Sequence, residues 1–111
     1  MSRMARLVGA AVLGLVLHVS SAEVPAQAGP GLVERGRQLF TEHGCHGCHT
    51  IGKMGTPIAT DLSRIGARHG QAQLEAWLRD PSKQRPTAHM PTIRMTVAEV
   101  TALAAYLATL R

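Results

Sequence analysis

The stretch Gly44-Cys45-His46-Gly47-Cys48-His49-Thr50, "GCHGCHT", carries both cysteines of the chain and two of its six histidines. Cysteines two residues apart serve metal binding, thiol redox chemistry and covalent haem attachment, and the surrounding sequence has to decide between these. A redox dithiol of this spacing normally sits beside a strand–helix–strand pattern, and no alternating run marks a strand here. A structural zinc ion takes four ligands in a tetrahedron. Cys45, Cys48, His49 and one further histidine could supply them, but the adjacent Cys48 and His49 do not readily reach one small ion together. Cys-x-x-Cys-His is the attachment signature of c-type haem. Each thiol adds to one haem vinyl group as a thioether, the two-residue gap matches the vinyl spacing, and His49 comes under the iron as its proximal ligand. The motif reads as haem.

At 111 residues the chain is one domain at most. It opens with Arg3 and Arg6, runs apolar from Leu7 to Val19, and then reaches the small residues Ser20-Ser21-Ala22. Those features describe a Sec-type signal peptide over residues 1–22, with Ala26-Gln27-Ala28 offering a later cut before Gly29. The apolar run is shorter than the roughly 20 residues a spanning helix needs, and no cysteine follows it to carry a lipid. The expectation is export to the periplasm without a permanent membrane anchor, which suits a haem attached outside the cytoplasm.

Losing residues 1–22 removes two of the twelve basic residues and no acid, leaving ten against seven, a net of +3. The basic residues form no cluster and the remaining aromatics are Phe40, Trp77 and Tyr106, so nucleic-acid binding has no footprint. A domain of about 90 residues with three aromatics builds only a thin core, and domains of that size usually lean on a disulfide, metal or cofactor.

Residues 23–31 are rich in Pro, Gly and Ala and read as a flexible leader to a domain over 32–111. Leu32 to Thr41 suits a short amphipathic helix, with Gly36 inside it where another backbone approaches. Thr50 to Arg68 reads as a loop. Gln71 to Arg79 reads as a helix stopped at Asp80-Pro81, and Pro81 to Met95 as a second loop. Thr96-Val97-Ala98-Glu99 is a capping box, after which Val97, Val100, Leu103, Ala104, Leu107 and Leu110 recur as one buried stripe. The fold class is all-α, three to four helices with long loops wrapped around one haem. His43, His46 and His69 are expected at the solvent surface.

The chain resembles the class I mono-haem cytochromes c from Leu32 to Leu110. "GRQLFTEHGCHGCHT" resembles their first helix and haem motif, "ATDLSRIGAR" the loop beside the proximal histidine, "LEAWLRDPSKQRPTAHMP" the run into the methionine ligand, and "EVTALAAYL" the last helix. The resemblance implies haem c joined through Cys45 and Cys48, His49 and Met90 as axial ligands, and Trp77 and Arg68 near the haem propionates. It also implies that Gly36 lets the first and last helices approach, with Phe40 and Tyr106 packing near their crossing. The family commonly places a proline before the Asp-Leu pair, where the proximal histidine donates a hydrogen bond to a carbonyl. Here that place is Thr60.

Met54, Met90 and Met95 are the methionines beyond the leader, with His89 a nitrogen competitor. Met54 follows His49 closely on the proximal side, and Met95 is positioned to staple onto Val100. Met90, before Pro91 in a proline-rich loop, is the ligand expected here. Two axial ligands leave no open position for substrate, which points to a single-electron carrier rather than a catalytic or gas-binding haem; a subunit held permanently in a larger oxidoreductase has the same requirements. Partners are then redox proteins with acidic docking surfaces, met by a monomer or by a subunit of a complex.

Overall fold

The structure, a computed structural model, describes residues 9–17 and 29–111. Most of the proposed signal peptide and the leader up to residue 28 lie outside the described residues. Gly9 to Leu17 has no regular secondary structure and is exposed.

Five α-helices and one two-stranded ribbon make up the described fold: α1 (Pro30–Glu42), a 3-10 turn (Cys45–Gly47), β1 (Thr50–Ile51), β2 (Met54–Gly55), α2 (Ile65–Arg68), α3 (Gln71–Arg79), α4 (Pro81–Gln84) and α5 (Val97–Ala108). The three longer helices are those the sequence periodicity predicts; α2 and α4 are single turns between them. Helix α1 starts earlier than expected, because Pro30 occupies its first turn, where a missing N–H costs nothing. The last two residues of the supposed leader are therefore helical.

The two loops carry more structure than their composition suggests. In the first, Thr50 pairs with Gly55 and Ile51 with Met54 in an antiparallel ribbon turned at Gly52, too short to leave a period in the sequence. In the second, the Asp80 side chain accepts from the Lys83 amide at 3.1 Å and Pro81 takes the first helical position, so the proline that ends α3 also begins α4. Arg85, extended ahead of Pro86, stops it. The capping box of α5 is formed as expected: the Glu99 amide donates to Thr96 Oγ1 at 3.2 Å and the Thr96 amide to Glu99 Oε2 at 2.9 Å.

Helices α1 and α5 cross at Gly36. A Cβ there would overlap the Ala102 carbonyl and come within 2.6 Å of Tyr106 Cβ. Leu39, Phe40, Leu103 and Ala104 are buried beside the crossing, and the Phe40 and Tyr106 rings meet edge to face at 6.2 Å. Arg35 reaches from α1 to Glu99 of α5 at 3.8 Å, a partly solvated pair at long range and of small energetic weight. The stripe on α5 is buried from Val100 to Leu107, Leu110 is half-buried beyond the end of the helix, and Val97 is 73% exposed. It stands in the first turn of the helix, before the axis reaches the crossing.

Gly36→Ala separates two opposed effects. Helix propensity favours alanine by about 1 kcal/mol, whereas overpacking against backbone costs typically about 1–3 kcal/mol or more. Net destabilisation by roughly 1–2 kcal/mol is expected, read from denaturant unfolding of the haem-loaded protein; a gain in stability would show that the helices do not need this contact.

Candidate functional site

The apolar cluster of the fold does not close on itself. Phe40, Ile65, Leu74, Leu78, Leu103 and Leu107 all belong to it, and all six also line a cleft of about 670 Å³. That volume is within the range of about 300–1,000 Å³ typical of cofactor and small-molecule sites. Cys45, His49, Trp77, Arg68 and Met90 line the same cleft. Cys48, three residues on from Cys45, is exposed and is not among the lining residues.

The proximal segment is shaped by backbone hydrogen bonds. After Gly44, in the left-handed region at φ 70°, the 3-10 turn closes with the His49 amide donating to the Cys45 carbonyl at 3.0 Å. The Cys48 carbonyl accepts from the Ala59 amide at 2.7 Å, folding the following loop back across the motif. Gly55 permits that return: its φ is 101°, and a Cβ there would overlap the His49 carbonyl. His49 Nδ1 lies 2.7 Å from the Thr60 carbonyl. A carbonyl only accepts, so Nδ1 carries the proton and Nε2 keeps its lone pair, the form in which imidazole binds a metal. Thr60 thus supplies the acceptor that a proline supplies elsewhere. Burial pushes the Cys45 thiol up, which is opposite to the activated thiolate of a redox dithiol.

Elsewhere in the cleft lining, Met90 is half-buried and its Sδ accepts a hydrogen bond from Trp77 Nε1 at 3.1 Å. The single N–H of the Trp77 indole lies on this sulfur in the structure, where the resemblance had placed Trp77 near the haem propionates. The signal was the spacing of Trp77 from Met90 across the loop, which sequence alone does not convert into contact. Met95 packs on the apolar cluster and does not line the cleft, Met54 lies exposed in β2, and His89 is exposed at the cleft beside Met90.

At the rim, the exposed Arg68 places Nη2 3.5 Å from the Asp61 carbonyl. Arg85, which the sequence did not single out, also lines the cleft, as does Ile58, 74% exposed and so an apolar group at the mouth. Neither guanidinium is paired with a carboxylate among the described residues. Three histidines are less exposed than expected. His43 and His46 are half-buried, each with a ring nitrogen shielded from solvent, and the His46 ring meets Phe40 edge-on at 4.7 Å. His69 is half-buried, lines the cleft, and pairs its Nδ1 with Gln73 Oε1 at 3.0 Å. The turn that brings Cys45 and His49 inward also carries His46 against α1.

Residues 33–111 match the protein family described as Cytochrome c. The chain belongs to the cytochrome c family. That family's chemistry is haem-based electron transfer, and the small, mostly helical fold of this chain is that of the family. The family's cofactor is covalently bound haem c, and this chain's residues fit it: an apolar cleft of the right scale, a thiol, an imidazole in the ligating tautomer and a thioether all face one space. The chain is also 35% identical over 89 residues to cytochrome c oxidase subunit 2 of Alkalihalophilus pseudofirmus, a match covering 72% of this chain and 26% of that protein. The cytochrome thus spans about a quarter of the length of that relative.

Proposed function

We propose that this cytochrome c is an exported carrier of single electrons whose haem is joined through Cys45 and Cys48 and ligated by His49 and Met90. The observation that carries the reading is that one cleft gathers Cys45, His49 and Met90 with Trp77 on the Met90 sulfur. Bound there, haem supplies a one-electron ferric/ferrous couple, and a His/Met ligand pair raises its potential. The chain's own work is to hold both ligands in place in either oxidation state. His49 is fixed by the Thr60 carbonyl and Met90 by the Trp77 indole. A closed coordination sphere favours electron transfer over substrate chemistry, because nothing need bind or leave. Arg68 and Arg85 at the rim suit the haem carboxylates. Arg3, Arg6, the apolar run and Ser20-Ser21-Ala22 support export, hence a periplasmic location. Its net positive charge after cleavage favours partners with acidic docking surfaces, through steering that salt weakens.

A second reading is a haem subunit held permanently in a larger oxidoreductase, favoured by the likeness to an oxidase subunit. Native gel filtration separates the two. The carrier elutes at the size of one chain with haem, whereas a stoichiometric co-purifying protein establishes the subunit.

Ligation is tested by substitution. Met90→Ala is expected to abolish the weak red-edge sulfur-to-ferric-iron absorption and lower the potential, with an open iron or capture by His89. Met95→Ala should keep the band and lose only stability. Trp77→Phe should keep the band while lowering the potential, because the indole N–H draws electron density from the sulfur that would otherwise stabilise ferric iron. A hydrogen bond worth about 1 kcal/mol corresponds to roughly 40 mV in a one-electron couple. Loss of the band in Met95→Ala and its retention in Met90→Ala would reverse the assignment.

A further inference from the structure

The loop that presents the Thr60 carbonyl to His49 contains no regular structure from residue 56 to residue 64, yet the hydrogen bond it makes is short. What holds it is a cluster centred on one oxygen. Asp61 Oδ1 accepts from Ser63 Oγ at 2.6 Å, from the Ser63 amide at 3.0 Å and from Thr50 Oγ1 at 3.1 Å. Ser63 Oγ in turn accepts from the Gly52 amide at 2.7 Å, and the Leu62 amide donates to the Thr50 carbonyl at 2.8 Å. Thr50 and Gly52 belong to the ribbon that directly follows His49. The loop is thus fastened to the ribbon one residue beyond each partner of the His49–Thr60 bond.

We infer that Asp61 is the positioning residue of the proximal side: by tying Thr50 and Ser63 together it keeps the Thr60 carbonyl on His49 Nδ1. The inference rests on His49 being the iron ligand. The physical consequence concerns the ligand's donor strength. A carbonyl held on Nδ1–H makes the imidazole a stronger donor at its other nitrogen, and groups behind a ligand tune the metal in this way. Stronger donation stabilises ferric iron, so loosening the bond raises the potential. Asp61 is exposed and carboxylate oxygens accept by nature, so its role is distinct from packing. The Ser63 hydrogen bonds, ahead of Thr50 and the Arg68 charge, also hold its carboxyl below the ordinary carboxylate range.

Two variants separate geometry from charge. Asp61→Ala removes all three acceptor contacts, whereas Asp61→Asn removes the charge and keeps an amide oxygen able to take the same donors. In the haem-loaded protein two quantities are measured: the midpoint potential, and the solvent exchange of the His49 Nδ1 proton by NMR. Asp61→Ala is expected to speed exchange about tenfold and to shift the couple toward ferrous iron about fourfold, roughly 35 mV. Asp61→Asn should stay near the parent in both. Ser63→Ala, which keeps the charge and removes two links of the cluster, should move both readouts in the same direction by less, and decides the matter if Asp61→Ala fails to mature. Equal upward shifts in the Ala and Asn variants would show that charge alone acts, and no change in exchange for either Asp61→Ala or Ser63→Ala would also overturn the inference. Failure of His49 ligation itself shows separately, in the parent protein, as His49 ring resonances that lack the shifts of an iron-bound imidazole.

Discussion

A core that surrounds a cleft is the constraint on which the rest of this structure depends. Phe40, Leu74, Leu78, Leu103 and Leu107 are the large apolar groups a domain of this size would pack against one another, and each presents part of its surface to the same space. Such a wall is stable only if something fills it, since ordering the chain costs about 1–2 kcal/mol per residue in backbone entropy. Haem c would supply that apolar surface, and the proposed attachment through Cys45 and Cys48 would keep it there through unfolding of the rest. Cofactor and core are then one object. The helix crossing at Gly36 fixes the back of the wall, and the two loops carry the groups that would meet the metal.

The site is built asymmetrically. On the proximal side everything is local: His49 lies one residue from Cys48, and its Thr60 partner is reached by a loop pinned through Ala59, Asp61 and Leu62. On the distal side Met90 comes from a proline-rich segment with little helical support, and its recorded polar contact is the Trp77 indole from α3. The proximal half is therefore specified by short-range hydrogen bonds, and the distal half by the docking of one loop on one helix. On the proposed ligation, substitutions on the first should act through donor strength, and substitutions on the second through whether the sulfur stays in place.

Much of this was legible from the sequence where the signal is local. Thr96 and Glu99 announce the start of α5 because a capping box is defined by residues three apart. Cys45, Cys48 and His49 announce the cofactor for the same reason. Gly36 was readable as a point of close approach and family likeness put Tyr106 near the crossing, but the Ala102 carbonyl it rests against is known only from the structure. What remained hidden is short or long-range. A two-residue strand such as Thr50–Ile51 has no period, and one-turn helices such as Pro81–Gln84 are set by a cap and a proline rather than by amphipathicity. The contact of Trp77 with Met90, the burial of His46 against Phe40 and the exposure of Val97 depend on how elements dock, and a single chain's periodicity does not encode docking.

The claim that haem completes the core is tested most directly by far-ultraviolet circular dichroism of a Cys45→Ser/Cys48→Ser protein prepared without haem. The account predicts a spectrum lacking most of the helix seen in the loaded protein, because α1, α3 and α5 would face an empty cleft. A native-like helical spectrum with cooperative thermal unfolding in the absence of haem would contradict it.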